Sequence, residues 1–84
     1  MNTIKWTRKA VKQLLKLHSP HQIQVRDAIT TLSAMPDVIN VKALSRHRYG
    51  YRLRAGNYRV LFDWDGVVRI VSIQEVKKRD ERTY

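Results

Sequence analysis

The chain has 84 residues, of which 17 are lysine or arginine and 7 are aspartate or glutamate, so its formal net charge is +10 at pH 7. This length fits one small domain, residues 1–84, and so large an excess of cations attracts polyanions such as nucleic acid or an acidic protein. The absence of cysteine excludes disulfides and thiolate metal sites, and no apolar run is long enough to cross a membrane. These features predict a soluble cytoplasmic domain.

The N-terminal part of the chain predicts a short strand followed by a helix. Residues 3–6 alternate as an edge strand does, and Thr7 is suited to cap a helix that runs through residue 18. One side of this helix is apolar. The other side is basic, and we interpret it as a solvated face rather than a binding groove; it carries Arg8, Lys9, Lys12 and Lys16.

A second helix start follows at Ser19-Pro20, where serine can cap the helix and proline fits the first helical position. Gln22 falls at the third position of a capping box. An apolar stripe then continues until Pro36; it consists of Val25, Ala28, Ile29 and Leu32. Because so few residues separate the two helices, they form an antiparallel hairpin that covers a sheet. Residues 37–44 predict only a loose connection.

Residues 51–62 predict a β-hairpin closed by Gly56-Asn57, since a two-residue hairpin turn needs the positive φ that these residues tolerate. This register places Arg54 opposite Arg59, and the pleat puts both of them on one face with Arg52. The other face is apolar, with Tyr51, Leu53, Tyr58, Val60 and Phe62. Like charges opposite each other destabilise a ladder, and an anionic ligand would explain them.

Asp65-Gly66 predicts a second tight turn and a third strand over residues 67–76, with Arg59 opposite Ser72. In this register the arginine face also receives side chains of the third strand, namely Gln74, Val76 and Lys78. The basic tail then arrives at the same end of the sheet as Arg54 and Arg59. His47 is expected near the other end, as an ordinary loop histidine.

The residue types of this basic region favour chemistry on phosphate. The sequence lacks metal-ligand spacing and a glycine-rich phosphate loop, and no cofactor is predicted. Guanidinium groups bind phosphate and stabilise the charge of a phosphorane, while tyrosine stacks on a base or moves a proton. This set suits RNA cleavage by the ribose 2′-hydroxyl, and it suits passive nucleic-acid binding equally well.

The sequence resembles the RelE/ParE superfamily of toxins from bacterial toxin-antitoxin modules, and its RelE-like branch more closely. The resemblance spans the whole chain and is carried by Tyr51-Arg52-Leu53-Arg54, Gly56-Asn57-Tyr58-Arg59-Val60, an Asp-Gly turn, Lys78-Arg79 and Tyr84. It implies an α+β fold, in which a short N-terminal strand and a three-stranded antiparallel meander form a twisted sheet with the helical hairpin on one face. It also implies a cognate antitoxin that masks the basic surface.

RelE-like members are ribosome-dependent ribonucleases that cut mRNA in the decoding site without a metal, and the resemblance implies the same activity here. Carried over by position, it makes Arg59, Arg79 and Tyr84 catalytic. It makes other basic residues ligands of RNA phosphate, namely Arg52, Arg54, Lys77, Lys78 and Arg82. Arg54 would replace a second lysine that some nuclease members carry where this chain has Gly50. Arg82 is an alternative to Arg79, because the spacing of the late motif varies.

Two other functions stay open at the level of sequence. ParE-like members of the superfamily poison DNA gyrase and lack the nuclease set of residues. A basic domain of this kind can also bind nucleic acid without catalysing a reaction.

Overall fold

The structure, a computed structural model, describes residues 1–79 of the chain. Within this range the elements are β1 (Thr3–Trp6), α1 (Arg8–Leu15), α2 (Ser19–Thr30), β2 (Val41–Ala43), β3 (Tyr51–Ala55), β4 (Tyr58–Asp65) and β5 (Ile70–Lys78), with a 3-10 turn (Thr31–Ala34) after α2. None of the helices in residues 1–79 has the length and apolar character needed to cross a membrane.

The strands form one mixed sheet in the order β1-β5-β4-β3-β2. The predicted edge strand and the antiparallel meander β3–β4–β5 are confirmed, and β1 pairs with β5 in parallel. The prediction of a loose connection over residues 37–44 is wrong in part, because β2 pairs with β3 at the far edge. Three residues carry too little periodicity to reveal a strand, so β2 is specified by its partner.

The two helices cover one face of the sheet, as the sequence predicts. The apolar face of the hairpin is buried, and Phe62 and Val60 are fully inaccessible beneath Val25 and Ile29 of α2. Burial of one such side chain stabilises a fold by about 1.5–3 kcal/mol relative to exposure, so this contact fixes which face the helices occupy. The arginines are thereby left on the opposite face.

The helix starts agree with the sequence at α1 and differ at α2. The Thr7 hydroxyl accepts a hydrogen bond from the Ala10 backbone N–H at 3.1 Å, as predicted for an N-cap. The serine cap predicted for α2 is wrong, since Ser19 is already helical and His18 holds the cap position. Gln22 does not complete a capping box there. Its amide donates to the Leu17 carbonyl at 2.8 Å and so ties α2 to the end of the preceding segment.

The turn between β3 and β4 is the predicted two-residue turn. Ala55 pairs with Tyr58 and Arg54 pairs with Arg59. Gly56 has a φ of 58°, whereas Asn57 is not in the left-handed region, which is the pattern of a type II′ turn. This turn sets the register that brings the two arginines face to face.

The turn between β4 and β5 is longer than predicted, and it changes the register of β5. Asp65 pairs with Ile70, so the loop has four residues, and the Asp65 carboxylate stabilises it by accepting from the backbone N–H of Val67 and of Val68. A bulge between Leu61 and Phe62 shifts the pairing once more. Arg59 therefore faces Lys77 and not Ser72.

This register corrects the predicted positions of two β5 side chains. Val76 belongs to the buried core, and Lys78 pairs with Tyr58 of the apolar face, so neither lies on the arginine face. The sequence could not show the change, because the alternation along β5 is the same in both registers until the bulge reverses it.

Asn2 fastens the start of the chain to the end of the helical segment. Its side-chain amide lies 3.1 Å from the Ser33 carbonyl and 3.0 Å from the Met35 carbonyl, and its side-chain oxygen accepts from the Trp64 indole N–H at 3.1 Å. One small side chain thus satisfies polar groups from the turn after α2 and from β4. No pattern in the sequence indicates this role.

We expect Asn2→Ala to lower the free energy of unfolding by about 1–3 kcal/mol, because the substitution leaves the Trp64 indole N–H and the Met35 carbonyl without the side-chain partner that Asn2 provides. Urea denaturation followed by tryptophan fluorescence measures the change. Thr3→Ala, at the exposed neighbouring position, is the control and should cost about 0.5 kcal/mol or less. Equal losses in the two variants would contradict a specific role for Asn2.

Candidate nucleic-acid-binding site

Three neighbouring strands each contribute one cation to a single line across the sheet. Arg54 of β3 pairs with Arg59 of β4, and Arg59 pairs with Lys77 of β5. The three side chains share the face that the helices leave open, since their strand neighbours Leu53, Val60 and Val76 are buried in the core. Two successive like-charge pairs disfavour the bare sheet, so this line favours a bound anion.

Four guanidinium groups surround a pocket at the end of this line. The pocket has a volume of about 110 Å³ and is lined by Arg52, Arg54, Arg59 and Arg79. Arg79 reaches it because its backbone N–H donates to the Asn57 carbonyl at 2.6 Å, which holds the end of β5 against the hairpin turn. The predicted meeting of the tail with the arginine hairpin is therefore confirmed as far as Arg79.

The electrostatics of the pocket are those of crowded positive charge. Burial, together with the repulsion of Arg52 and Arg79, lowers the pKa of Arg59. The guanidinium nitrogen Nε of Arg52 is buried and has no hydrogen-bond partner among residues 1–79. Guanidinium groups that are partly removed from water and close to one another are stabilised by a bound anion, and phosphate matches their bidentate geometry.

Glu75 is a buried carboxylate beside this surface, and sequence analysis did not identify it. Only 7% of the residue is exposed, and its Oε1 lies 3.0 Å from the Lys9 Nζ and 3.8 Å from the Lys77 Nζ. Burial would raise the pKa of Glu75, but the hydrogen bond from Lys9, the charges of Lys77 and Lys9 and a hydrogen bond from Tyr49 outweigh it and lower that pKa. The available signal was an acid between the β-branched residues Ile73 and Val76 of β5, because acids are rarely buried without cations.

The remaining predicted site residues do not line the arginine pocket in the described part of the chain. Lys77 is in the line of cations, whereas Lys78 is exposed beside Tyr58, on the side of the apolar face. Arg82 and Tyr84 lie outside the described residues. His47 precedes β3, and its Nδ1 accepts from the Tyr49 backbone N–H at 3.0 Å, so it has an ordinary loop role.

The other histidines lie on the helix side of the sheet. His21 Nδ1 is 2.8 Å from the Tyr58 hydroxyl, and the rings of His18 and His21 are 5.9 Å apart. Tyr58 belongs to the buried core, so this contact fixes α2 to β4 and does not face the arginine pocket. Within residues 1–79 no group of three or more His, Cys, Asp or Glu side chains could hold a metal ion.

The chemistry available in the pocket is charge stabilisation. Arginine stays protonated in proteins, so the four lining residues can hold an anion and stabilise added negative charge, but they cannot accept a proton. A phosphate diester whose charge grows on going to a pentacoordinate transition state is the type of group that such a pocket binds most strongly.

The chain is similar to known proteins of toxin-antitoxin systems. A family described as the ParE toxin of the type II toxin-antitoxin system, parDE, matches residues 4–82. A chain of the RelBE2 toxin-antitoxin complex from Mycobacterium tuberculosis is 31% identical, with a TM-score of 0.80, over 93% of this chain and 98% of that chain. A comparison with curated protein sequences gives no match.

Two further solved structures share the fold at lower identity. A chain of the archaeal RelE-RelB complex from Pyrococcus horikoshii is 24% identical with a TM-score of 0.79, over 95% of this chain and 97% of that one. The isolated RelE toxin from E. coli is 19% identical with a TM-score of 0.77, over 96% of this chain and 87% of that one.

The lowered pKa of Glu75 makes the stability of the fold depend on pH. Because its carboxylate is favoured in the folded state, its contribution is present at pH values above the ordinary glutamate pKa of 4.5 and is lost as the pH falls through the lower folded value. We expect Glu75→Gln to reduce the free energy of unfolding by about 1–3 kcal/mol at neutral pH and by much less near about pH 3. Urea denaturation at the two pH values measures this.

Asp27→Asn, which neutralises an exposed acid on α2, is the matched control and should change neither value appreciably. If Glu75→Gln lowered the free energy of unfolding equally at both pH values, the packing of the side chain would matter for stability and its charge would not.

Proposed function

Since the chain belongs to the ParE toxin family of type II toxin-antitoxin systems, within the RelE/ParE superfamily, we propose that this toxin is a ribosome-dependent mRNA endoribonuclease that arrests translation in the cytoplasm. The observation that carries the proposal is the pocket in which Arg52, Arg54, Arg59 and Arg79 converge. It lies on the open face of the sheet and supports the binding of a phosphate diester.

In the proposed reaction the ribose 2′-hydroxyl attacks the adjacent phosphorus, and the bond from phosphorus to the 5′-oxygen of the next nucleotide breaks. The proton of the 2′-hydroxyl leaves, the 5′-oxygen takes up a proton, and the products are a 2′,3′-cyclic phosphate and a 5′-hydroxyl. Arg59 and Arg79 stabilise the negative charge of the phosphorane. Arg52 and Arg54 hold the backbone on either side.

The ribosome has a physical part in this proposal. The described lining of the pocket offers cations but no proton acceptor, so catalysis there depends on the orientation of the RNA and on groups beyond residues 1–79. In the proposal, binding in the decoding site orients the mRNA for in-line attack, which removes much of the entropic barrier. We assign to Tyr84 either stacking on a base or proton transfer, and Arg82 is the alternative to Arg79.

We also propose a cognate antitoxin as the partner of this chain. The relatives from M. tuberculosis and P. horikoshii are solved as toxin-antitoxin and RelE-RelB complexes. A net charge of +10 on 84 residues, with three cations in one line across the sheet, favours a partner that neutralises this surface.

Poisoning of DNA gyrase is the second candidate function, and the family description as a ParE toxin is the observation that favours it. The arginine pocket favours the nuclease, because a gyrase poison acts by contact with a protein and does not need four guanidinium groups around one small pocket.

We expect Arg59→Ala to reduce mRNA cleavage on translating ribosomes by about 10²–10³-fold, since it removes a group that stabilises the transition-state charge. Primer extension on mRNA from cells that express the chain measures the cleavage. Far-UV circular dichroism and thermal unfolding should be nearly unchanged, because the Arg59 side chain lies outside the core cluster.

Arg26→Ala removes the same charge from an exposed position in the middle of α2 and should leave cleavage intact. Intact mRNA with the unsubstituted chain, accompanied by gyrase trapped on cleaved DNA, would replace the nuclease proposal with gyrase poisoning. RNA binding that falls steeply with salt but yields neither product would identify a non-catalytic binder.

A further inference from the structure

A row of cations on α1 has no part in the proposed reaction. Arg8, Lys12 and Lys16 follow one another at intervals of four residues, so they lie along one line on the side opposite the buried Ala10 and Leu14. All three cations are exposed, and residues 8–16 contain no acid. Like charges at this spacing destabilise a helix, so the row has a cost that the fold itself does not explain.

The row borders an open depression of about 490 Å³. The depression is lined by Arg8, Lys9, Lys12, Gln13 and Lys16. Among residues 1–79, no apolar side chain contributes to this lining, whereas helical peptides dock into grooves through apolar anchors. The lining therefore suits a ligand that presents charge and hydrogen-bond acceptors, such as the sugar-phosphate backbone of a nucleic acid.

Contacts between α1 and β5 connect this depression with the line of cations on the sheet. The Gln13 side-chain oxygen accepts from the Val76 backbone N–H at 2.7 Å, which places α1 beside β5. Lys9 and Lys77 approach the same oxygen of Glu75, at 3.0 Å and 3.8 Å. Because Lys77 is also paired with Arg59, the basic surface continues from the arginine pocket to α1.

We infer that the α1 row is a second RNA-binding surface, which holds the backbone of the RNA strand that extends from the arginine pocket. The inference rests on the proposed function in one respect, namely that the pocket receives a phosphate of that strand. The sequence pattern alone predicted a solvated face. The exposure of the side chains agrees with that prediction. Because this face of α1 adjoins Lys77 of the cation line, we assign it RNA as its ligand.

The test compares two RNAs that differ in whether they can reach α1. Both are fully 2′-O-methylated, so they lack the nucleophile and are not cleaved; one has about 4 nucleotides and the other about 15. Binding to the purified full chain is followed by fluorescence anisotropy over a range of KCl concentrations. The variant is Lys12→Gln/Lys16→Gln, which keeps good helix formers in α1.

For the long RNA we expect the double variant to bind more weakly and to reduce the slope of log K against log salt by about 1.4, since each contact with a single strand contributes about 0.7. Binding of the short RNA should stay unchanged. Arg26→Gln/Arg69→Gln removes two charges from other exposed positions and should leave both RNAs unaffected. Arg59→Ala should weaken the binding of both RNAs, which tests the pocket separately from α1.

Three results would overturn the inference. An unchanged slope with the long RNA would show that α1 does not contact it. An equal loss in the control variant would show a diffuse effect of net charge. If the double variant Lys12→Gln/Lys16→Gln lost binding to a poly-glutamate peptide and retained binding to RNA, the row would be a binding surface for an acidic protein. If Arg59→Ala leaves the binding of the short RNA unchanged, the pocket does not hold a phosphate and the proposed function fails. The salt slope of the long RNA still decides whether α1 contacts RNA.

Discussion

The repulsion between cations on neighbouring strands is the constraint on which the functional surface depends. The type II′ turn at Gly56-Asn57 fixes Arg54 opposite Arg59, and the bulge in which Gln74 is the extra residue of β5 brings Lys77 beside Arg59. These groups stay together because the reverse sides of the same strands are buried under α1 and α2, where the burial of large apolar side chains outweighs the unfavourable charge pairs. The hydrophobic core thus holds the arginines in an arrangement that an anion stabilises.

Glu75 has a different relation to this charge. It is buried beside Lys9 and Lys77 and supplies a negative charge at the boundary between α1 and the sheet. One carboxylate shared between two ammonium groups lowers the repulsion there without closing the arginine pocket, whose described lining consists of guanidinium groups alone. The surface is therefore partly neutralised where it serves the fold and left positive where a phosphate is proposed to bind.

Much of the fold could be predicted from local patterns, whereas the register of β5 and the existence of β2 could not. The β3–β4 hairpin, the apolar face and the Thr7 cap depend on neighbouring residues, and the structure has them as predicted. The register of β5 depends on a carboxylate-stabilised loop and a bulge, and β2 depends on its pairing with β3. The four arginines of the pocket could be placed there from the sequence, namely Arg52, Arg54, Arg59 and Arg79. The partner of Arg59 on β5 could not, since the sequence predicted Ser72 and the structure has Lys77.

The bulge between Leu61 and Phe62 ties two properties of β5 to a single position of the chain. It reverses the in-out alternation of the strand, so that Val76 enters the core while Lys77 joins the cations. Gain or loss of one residue between the bulge and the end of β5 would exchange these orientations along the whole segment. The tolerance of this strand to insertions and deletions is therefore set by core packing and by ligand binding together, and evolution cannot alter one of them there without altering the other.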